Sequence, residues 1–149
     1  DPQKQVLFGH SFGGLFVLHV LFAHPESYQH YIASSPSIWW ADGAVLREEK
    51  EFTERLQTKT VNARVHISIG EFEETFPPDM PAERRAVYLE RRQAGNAREL
   101  AERLARLSER GVEATFRVFA EEDHGSAAGP ALSRGVRLAL EQGGPPRAN

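Results

Sequence analysis

The chain contains no cysteine, a single methionine and only two tryptophans among its 149 residues. Without cysteine there can be no disulfide, no zinc–thiolate centre and no thiol nucleophile; this suits any redox compartment and leaves the compartment open. Long apolar runs are also missing. The longest, Leu15 to Ala23, is broken by His19 and falls well short of the ~20 residues a membrane-spanning helix needs. No leader-peptide pattern is visible. Positive charge is not in excess, with 18 basic against 21 acidic residues and a net charge of −3, so neither nucleic acid nor an anionic membrane is expected as a partner. The pairs Arg84-Arg85 and Arg91-Arg92 alternate with Glu83, Glu90 and Glu99 and read as a solvated helix face. There is no phosphate-binding glycine loop, dinucleotide fingerprint, metal-ligand spacing or internal repeat, and no cofactor or metal is expected.

What is present suits one globular domain with a true core, since 40% of residues are hydrophobic. The chain is organised around Val6-Leu7-Phe8-Gly9-His10-Ser11-Phe12-Gly13-Gly14, a buried strand, a sharp turn carrying a serine, and an apolar helix. Gly9 to Gly13 fits G-x-S-x-G, the nucleophile elbow of α/β-hydrolases. A serine hydroxyl is a poor nucleophile unless it projects freely toward a base and a carbonyl. A tight strand-to-helix turn achieves this at the cost of crowding, which the flanking glycines are expected to absorb. The turn also sets Ser11 at a helix N-terminus, where the free amide of Phe12 can donate to a developing oxyanion.

The rest of the chain alternates strand and helix. Helix is predicted over Phe12 to His24, apolar nearly all round and hence deeply buried, with His19 and His24 as packing or end-cap residues and Pro25 as the stop. A second strand is predicted from Tyr28 to Ser34, ended by Ser35-Pro36-Ser37. Trp39 and Trp40 follow, where they either line a substrate pocket or anchor the core, and His10 supports the turn beside the nucleophile. A charged amphipathic helix is expected over Ala41 to Gln57, and a third strand over Arg64 to Gly70 with alternating Val65, Ile67 and Ile69. An acidic loop, Glu71 to Pro78, comes next. Helix is expected from Pro81 to Arg110 with a kink near Gly95-Asn96, then a half-exposed strand from Val112 to Phe119 near the sheet edge. The loop Glu121 to Ser126 precedes a closing helix from Leu132 to Leu140, and residues 143–149 are expected to be a disordered tail behind a domain ending near residue 142.

The order β-α-β-α-β-α-β-α implies a mainly parallel sheet of about four strands with flanking helices. All C-terminal strand ends then open on one edge, so Ser11, the acidic loop after Gly70 and the His124 loop share a rim, in the order serine, acid, histidine found in α/β-hydrolases. His124 would take the Ser11 proton during attack and return it to the leaving group. Among the acids Glu73 is the first choice, with Glu71 and Glu74 as alternatives. Asp123, adjacent to His124, is placed poorly to reach its ring.

The stretches Gly9-His10-Ser11-Phe12-Gly13-Gly14, Ser35-Pro36-Ser37 with Trp39-Trp40, Gly70-Glu71-Phe72-Glu73 and Asp123-His124-Gly125-Ser126 resemble the putative-esterase family, which groups esterase D-like, feruloyl and siderophore esterases. The resemblance is nearest the siderophore-esterase branch and covers nearly the whole chain. It implies a small-molecule ester substrate, with Ser11 as the nucleophile, His124 as its base, Glu73 where many members have Asp, and Ser–His dyads as a variant. His10, Trp39 and Trp40 are the candidate substrate-binding residues. The family's sheet begins with further strands, and a loop after one of them supplies a second oxyanion amide. The chain therefore reads as the C-terminal half of an α/β-hydrolase, and lacking that donor is expected to cost roughly 10²–10³ in rate. A non-catalytic half-domain used for binding or assembly, or a peptidase or thioesterase of the same fold, is the alternative. An apolar strand Gln5 to Phe8 without a neighbour on one side also predicts that the 149-residue chain pairs with a second copy, as a homodimer through this edge, unless the upstream half is present.

Overall fold

The computed structural model describes residues 5–141; the expectation for the tail lies outside them. Four strands form one parallel sheet in the order β1-β2-β3-β4. They are β1 (Val6–His10), β2 (His30–Ser34), β3 (Ala63–Gly70) and β4 (Val112–Phe119). The helices are α1 (Phe12–Ala23), α2 (Trp40–Arg55), α3 (Ala82–Arg91), α4 (Gln93–Ala105) and α5 (Ala128–Glu141), with 3₁₀ turns at Glu71–Glu73 and Ser108–Arg110. This is the expected fold class.

Strand alternation divides the interior in two. Tyr31, Ala33, Val65, Ile67 and Ile69 point to the face covered by α1 and α4, where they pack with Val17, Leu18, Leu21, Leu100 and Leu104 in the main core. The other face carries Ile32, His66 and Ser68 under α5. There the fit is close enough that a Cβ on Gly135 of α5 would sit 2.3 Å from Ile32 Cδ1. β4 lies at one edge, with its alternate residues half-exposed as expected. β1 lies at the other, bonded only to β2 among the described residues.

Four expectations need correction. The first helix is not buried all round: Val17, Leu18, Leu21 and Phe22 are inside, but Phe12 and Phe16 are 52% and 58% exposed. An almost uniformly apolar helix carries no moment from which its outer face can be read. The second strand starts at His30, because Ser27 N–H closes a turn on His24 O and Gln29 N–H bonds Gln5 O. The long helix breaks at Arg92, with φ 48°, rather than at Gly95-Asn96, since the side chain of Gln93 is tied into the interior and fixes where α4 begins. Finally, α5 begins four residues before Leu132, because the residues buried at its start, Ala127 just before it and Ala131 within it, are small.

Candidate active site

Ser11 occupies the turn between β1 and α1 with φ 57° and ψ −115°, a region that costs a non-glycine residue about 1–3 kcal/mol. Three backbone bonds hold it there. Its N–H donates to Ser34 O at 2.9 Å, and its carbonyl accepts from Leu15 N–H at 3.0 Å and Ser37 N–H at 3.1 Å. The crowding falls on Gly9, whose added Cβ would lie 2.1 Å from Gly13 O, whereas a Cβ on Gly13 would meet nothing within 4 Å. The motif's two glycines are thus not equivalent: the first is required by contact, and the second matters through its carbonyl. Phe12 is the first residue of α1, so its N–H has no partner one helical turn back and is left to donate elsewhere.

Glu73 ends the 3₁₀ turn that follows β3, and it is 2% exposed. Its Oε1 accepts from Gly70 N–H at 2.8 Å and from the Ser35 hydroxyl at 2.6 Å. Its Oε2 lies 2.8 Å from His124 Nδ1, and His124 Nε2 lies 3.0 Å from Ser11 Oγ. A buried carboxylate only accepts, so the imidazole proton is assigned to Nδ1, which leaves Nε2 as the acceptor for the serine O–H. Acid, imidazole and hydroxyl therefore form one directed chain of hydrogen bonds linking the ends of β1, β3 and β4.

The loops around this chain are tightly set. A Cβ on Gly70 would lie 2.4 Å from Glu122 O, so the acid-bearing and histidine-bearing loops touch through backbone. Asp123 does not reach the His124 ring. Its Oδ1 accepts from Gly125 and Ser126 N–H at 2.8 and 2.9 Å, forming the turn that presents the histidine, and these bonds hold its pKa below the ordinary carboxylate value. Glu71 accepts from Glu121 N–H, and Glu74 pairs with Arg98 on the surface. Of the three acids in the loop, only Glu73 faces the imidazole.

His10 lies beneath the site rather than on the cleft. Its Nδ1 is 3.1 Å from Ser34 Oγ, and its ring is 4.9 Å from that of His124. Burial, then the neighbouring His124, lower its pKa below the ordinary histidine value, with Glu73 opposing. Phe12, Trp39 and Trp40 do line the cleft, about 470 Å³ in volume, that opens over Ser11 and His124. Phe12 meets the two indoles edge-on, at 6.0 and 5.1 Å. A larger depression of about 860 Å³ lies elsewhere, around Tyr28, Arg55 and Asn62, and is lined by no serine or histidine.

Sequence reading missed three supports. Ser35, with φ 43°, turns its hydroxyl onto Glu73; Ser37 Oγ stands 3.3 Å from Ser11 Oγ; and Gln93 donates from Nε2 to Ser35 O and Pro36 O at 2.9 and 3.1 Å. In sequence Ser35-Pro36-Ser37 looks like a strand terminator, and Gln93 is an unremarked polar residue in a polar helix. Among the described residues no cluster of three or more His, Cys, Asp or Glu could hold a metal ion, and no helix is long and apolar enough to cross a membrane.

Comparison with known proteins places the chain in a family. Residues 1–129 match the family described as "Putative esterase". Ferri-bacillibactin esterase BesA of Bacillus subtilis is 39% identical over 145 residues, covering 97% of this chain and 46% of its own. The siderophore triacetylfusarinine C esterase of Aspergillus fumigatus is 37% identical, covering 93% and 49%. Among solved structures, siderophore hydrolase EstA from Aspergillus nidulans superposes with a TM-score of 0.81 at 33% identity, over 95% of this chain and 49% of that one. The chain thus spans about half the length of the relatives it matches, and the sheet described above is the corresponding half of an α/β-hydrolase fold.

Proposed function

The chain belongs to the putative-esterase family, and from that premise we propose that it carries the reacting residues of a serine ester hydrolase acting on siderophore-type esters. Ser11 is the nucleophile, His124 the general base and Glu73 the acid that orients it. The observation that carries this reading is the unbroken hydrogen-bond chain Glu73–His124–Ser11, at 2.8 and 3.0 Å.

The proton accounting is direct. Ser11 Oγ attacks the ester carbonyl carbon as its proton passes to His124 Nε2, giving a tetrahedral oxyanion and an imidazolium whose charge Glu73 balances. The Phe12 N–H donates to that oxyanion. Collapse breaks the carbon–oxygen bond of the ester, and His124 returns its proton to the departing alcohol. Water, deprotonated by His124, then attacks the acyl-serine, and the same groups release the carboxylic acid and restore the serine. The cleft wall of Phe12, Trp39 and Trp40 holds the organic body of the substrate. In the 149-residue chain by itself, the β1 edge, bonded only to β2 among the described residues, takes a second copy.

The test is replacement of Ser11 with alanine in the full-length gene product. Hydrolysis of short p-nitrophenyl esters is expected to fall to the level of solvent. Activity retained within about threefold contradicts the assignment, because removing a serine nucleophile costs several orders of magnitude.

A further inference from the structure

Arg84 and Arg91 stand on the α3 side of the cleft over Ser11 and His124, and no aspartate or glutamate lines it, although acidic residues outnumber basic ones in the chain. The two arginines differ. Arg84 faces Asp123 Oδ2 at 3.8 Å, which answers part of its charge. Arg91 has no carboxylate at ion-pair distance among the described residues, whereas Arg92, Arg98 and Arg103 close by are paired with Glu99, Glu74 and Glu49. The Arg91 guanidinium instead lies over the Trp39 ring, 3.9 Å from its centroid.

That placement matters chemically. Stacking on an indole uses the face of the guanidinium and leaves the N–H donors along its edge free, in the fork that suits a carboxylate or another planar oxyanion. It also restrains a long side chain before any ligand arrives, so less freedom is lost on binding. Trp39 stands one residue, Ile38, beyond the Ser35-Pro36-Ser37 loop that touches both Glu73 and Ser11, so the cation is referenced to the reacting groups. Around it, Phe12, Trp40 and Tyr88 offer flat apolar surface.

We propose that Arg91 is a specificity-determining residue, and that the preferred substrate is an ester bearing an anionic group on a flat body, bound against the α3 wall. This rests on the reading of Ser11 as the nucleophile. α3 has no buried residue of its own, so its cleft-facing side chains can change without disturbing the core.

Two esters test it in the full-length gene product: 3-carboxyphenyl butyrate and its neutral isostere 3-carbamoylphenyl butyrate. With Arg91→Gln, kcat/KM for the anionic ester is expected to fall about tenfold or more, while that for the neutral ester stays within about twofold, because one charge-assisted bidentate contact is lost. Arg91→Lys is expected to restore part of the difference. Equal losses on both esters, or no loss on either, overturn the proposal. Turnover of the neutral ester reads the nucleophile assignment separately. If neither ester is hydrolysed, that assignment fails, and binding still decides the present one. Calorimetry is expected to show 3-hydroxybenzoate binding more tightly than 3-hydroxybenzamide to the wild type but not to Arg91→Gln. Equal affinities in the wild type overturn it.

Discussion

Ser35 donates its hydroxyl to Glu73 Oε1 across 2.6 Å, the shortest link in the chain of side chains that ends at Ser11. Glu73 is almost fully buried, and a buried carboxylate needs its lone pairs filled. With Oε1 taken by Ser35 and Gly70, Oε2 is left to face the imidazole. Ser35 is itself held in a left-handed conformation, with its carbonyl and that of Pro36 capped by Gln93. The order of support runs from Gln93 to the loop, from the loop to the acid, and from the acid to the histidine.

Ser35→Ala is therefore expected to lower kcat while leaving KM close to that of the wild type, and to cost about 1–3 kcal/mol of stability through a buried oxygen left short of a donor. Gln93→Leu is expected to destabilise by a similar amount, since the buried Ser35 carbonyl loses its donor while Pro36 O keeps only Ile38 N–H. Steady-state kinetics alongside urea unfolding separates the two effects.

The acidic loop offers a second comparison. Glu73→Gln removes the charge that balances the imidazolium and is expected to lower kcat by about 10²–10⁴. Glu71→Gln and Glu74→Gln are expected to stay within about threefold, because their partners are Glu121 N–H and the surface Arg98. If all three substitutions are silent, Ser11 and His124 work as a dyad.

Much of this was legible in the sequence, for reasons that can be stated residue by residue. The elbow was readable because a strand, a glycine at fixed distance and an apolar helix leave few alternatives. The alternation of Val65, Ile67 and Ile69 gave β3, and chain order then put serine, acid and histidine on one rim. What could not be read was any contact whose partner lies far along the chain. Ser35 and Gln93 are separated by 58 positions in sequence; Ser35-Pro36-Ser37 was legible as part of the family resemblance, but not that its hydroxyl holds the acid, and nothing local marks Gln93. The exposed side of α1 was hidden by its own uniform apolarity, and the break at Arg92 by the expectation that glycine, rather than a tertiary anchor, ends a helix.

The α5-covered face of the sheet predicts acid sensitivity. His66 and His30 stack there with centroids 6.0 Å apart. Burial, then the neighbouring His30, with Arg134 and Arg64 adding to it and Glu113 opposing, lower the pKa of His66 to about 4. Burial and then Arg64 lower that of His30. Both groups take up protons more readily in the unfolded chain, so stability is fully present above pH ~6.5 and is lost as pH falls from there toward about 4. Urea titrations across that range are expected to show the decline, and His66→Asn is expected to flatten it.

The edge strand makes a prediction about assembly. β1 is hydrogen-bonded only to β2 among the described residues, and Phe12 and Phe16 stand exposed on the helix that follows it. Unpaired apolar edges recruit strands from other chains. Sedimentation of the 149-residue chain at micromolar concentration is expected to show a species heavier than the monomer, and Phe16→Glu to reduce it. A single monomeric boundary contradicts the pairing.

The most direct test of the whole account is covalent. The full-length gene product is treated with a fluorophosphonate, and the adduct is mapped by peptide mass spectrometry. One phosphonyl group on Ser11 is expected, strongly reduced in His124→Ala and absent in Ser11→Ala. No adduct, or one on Ser35 or Ser37 with Ser11 free, contradicts it.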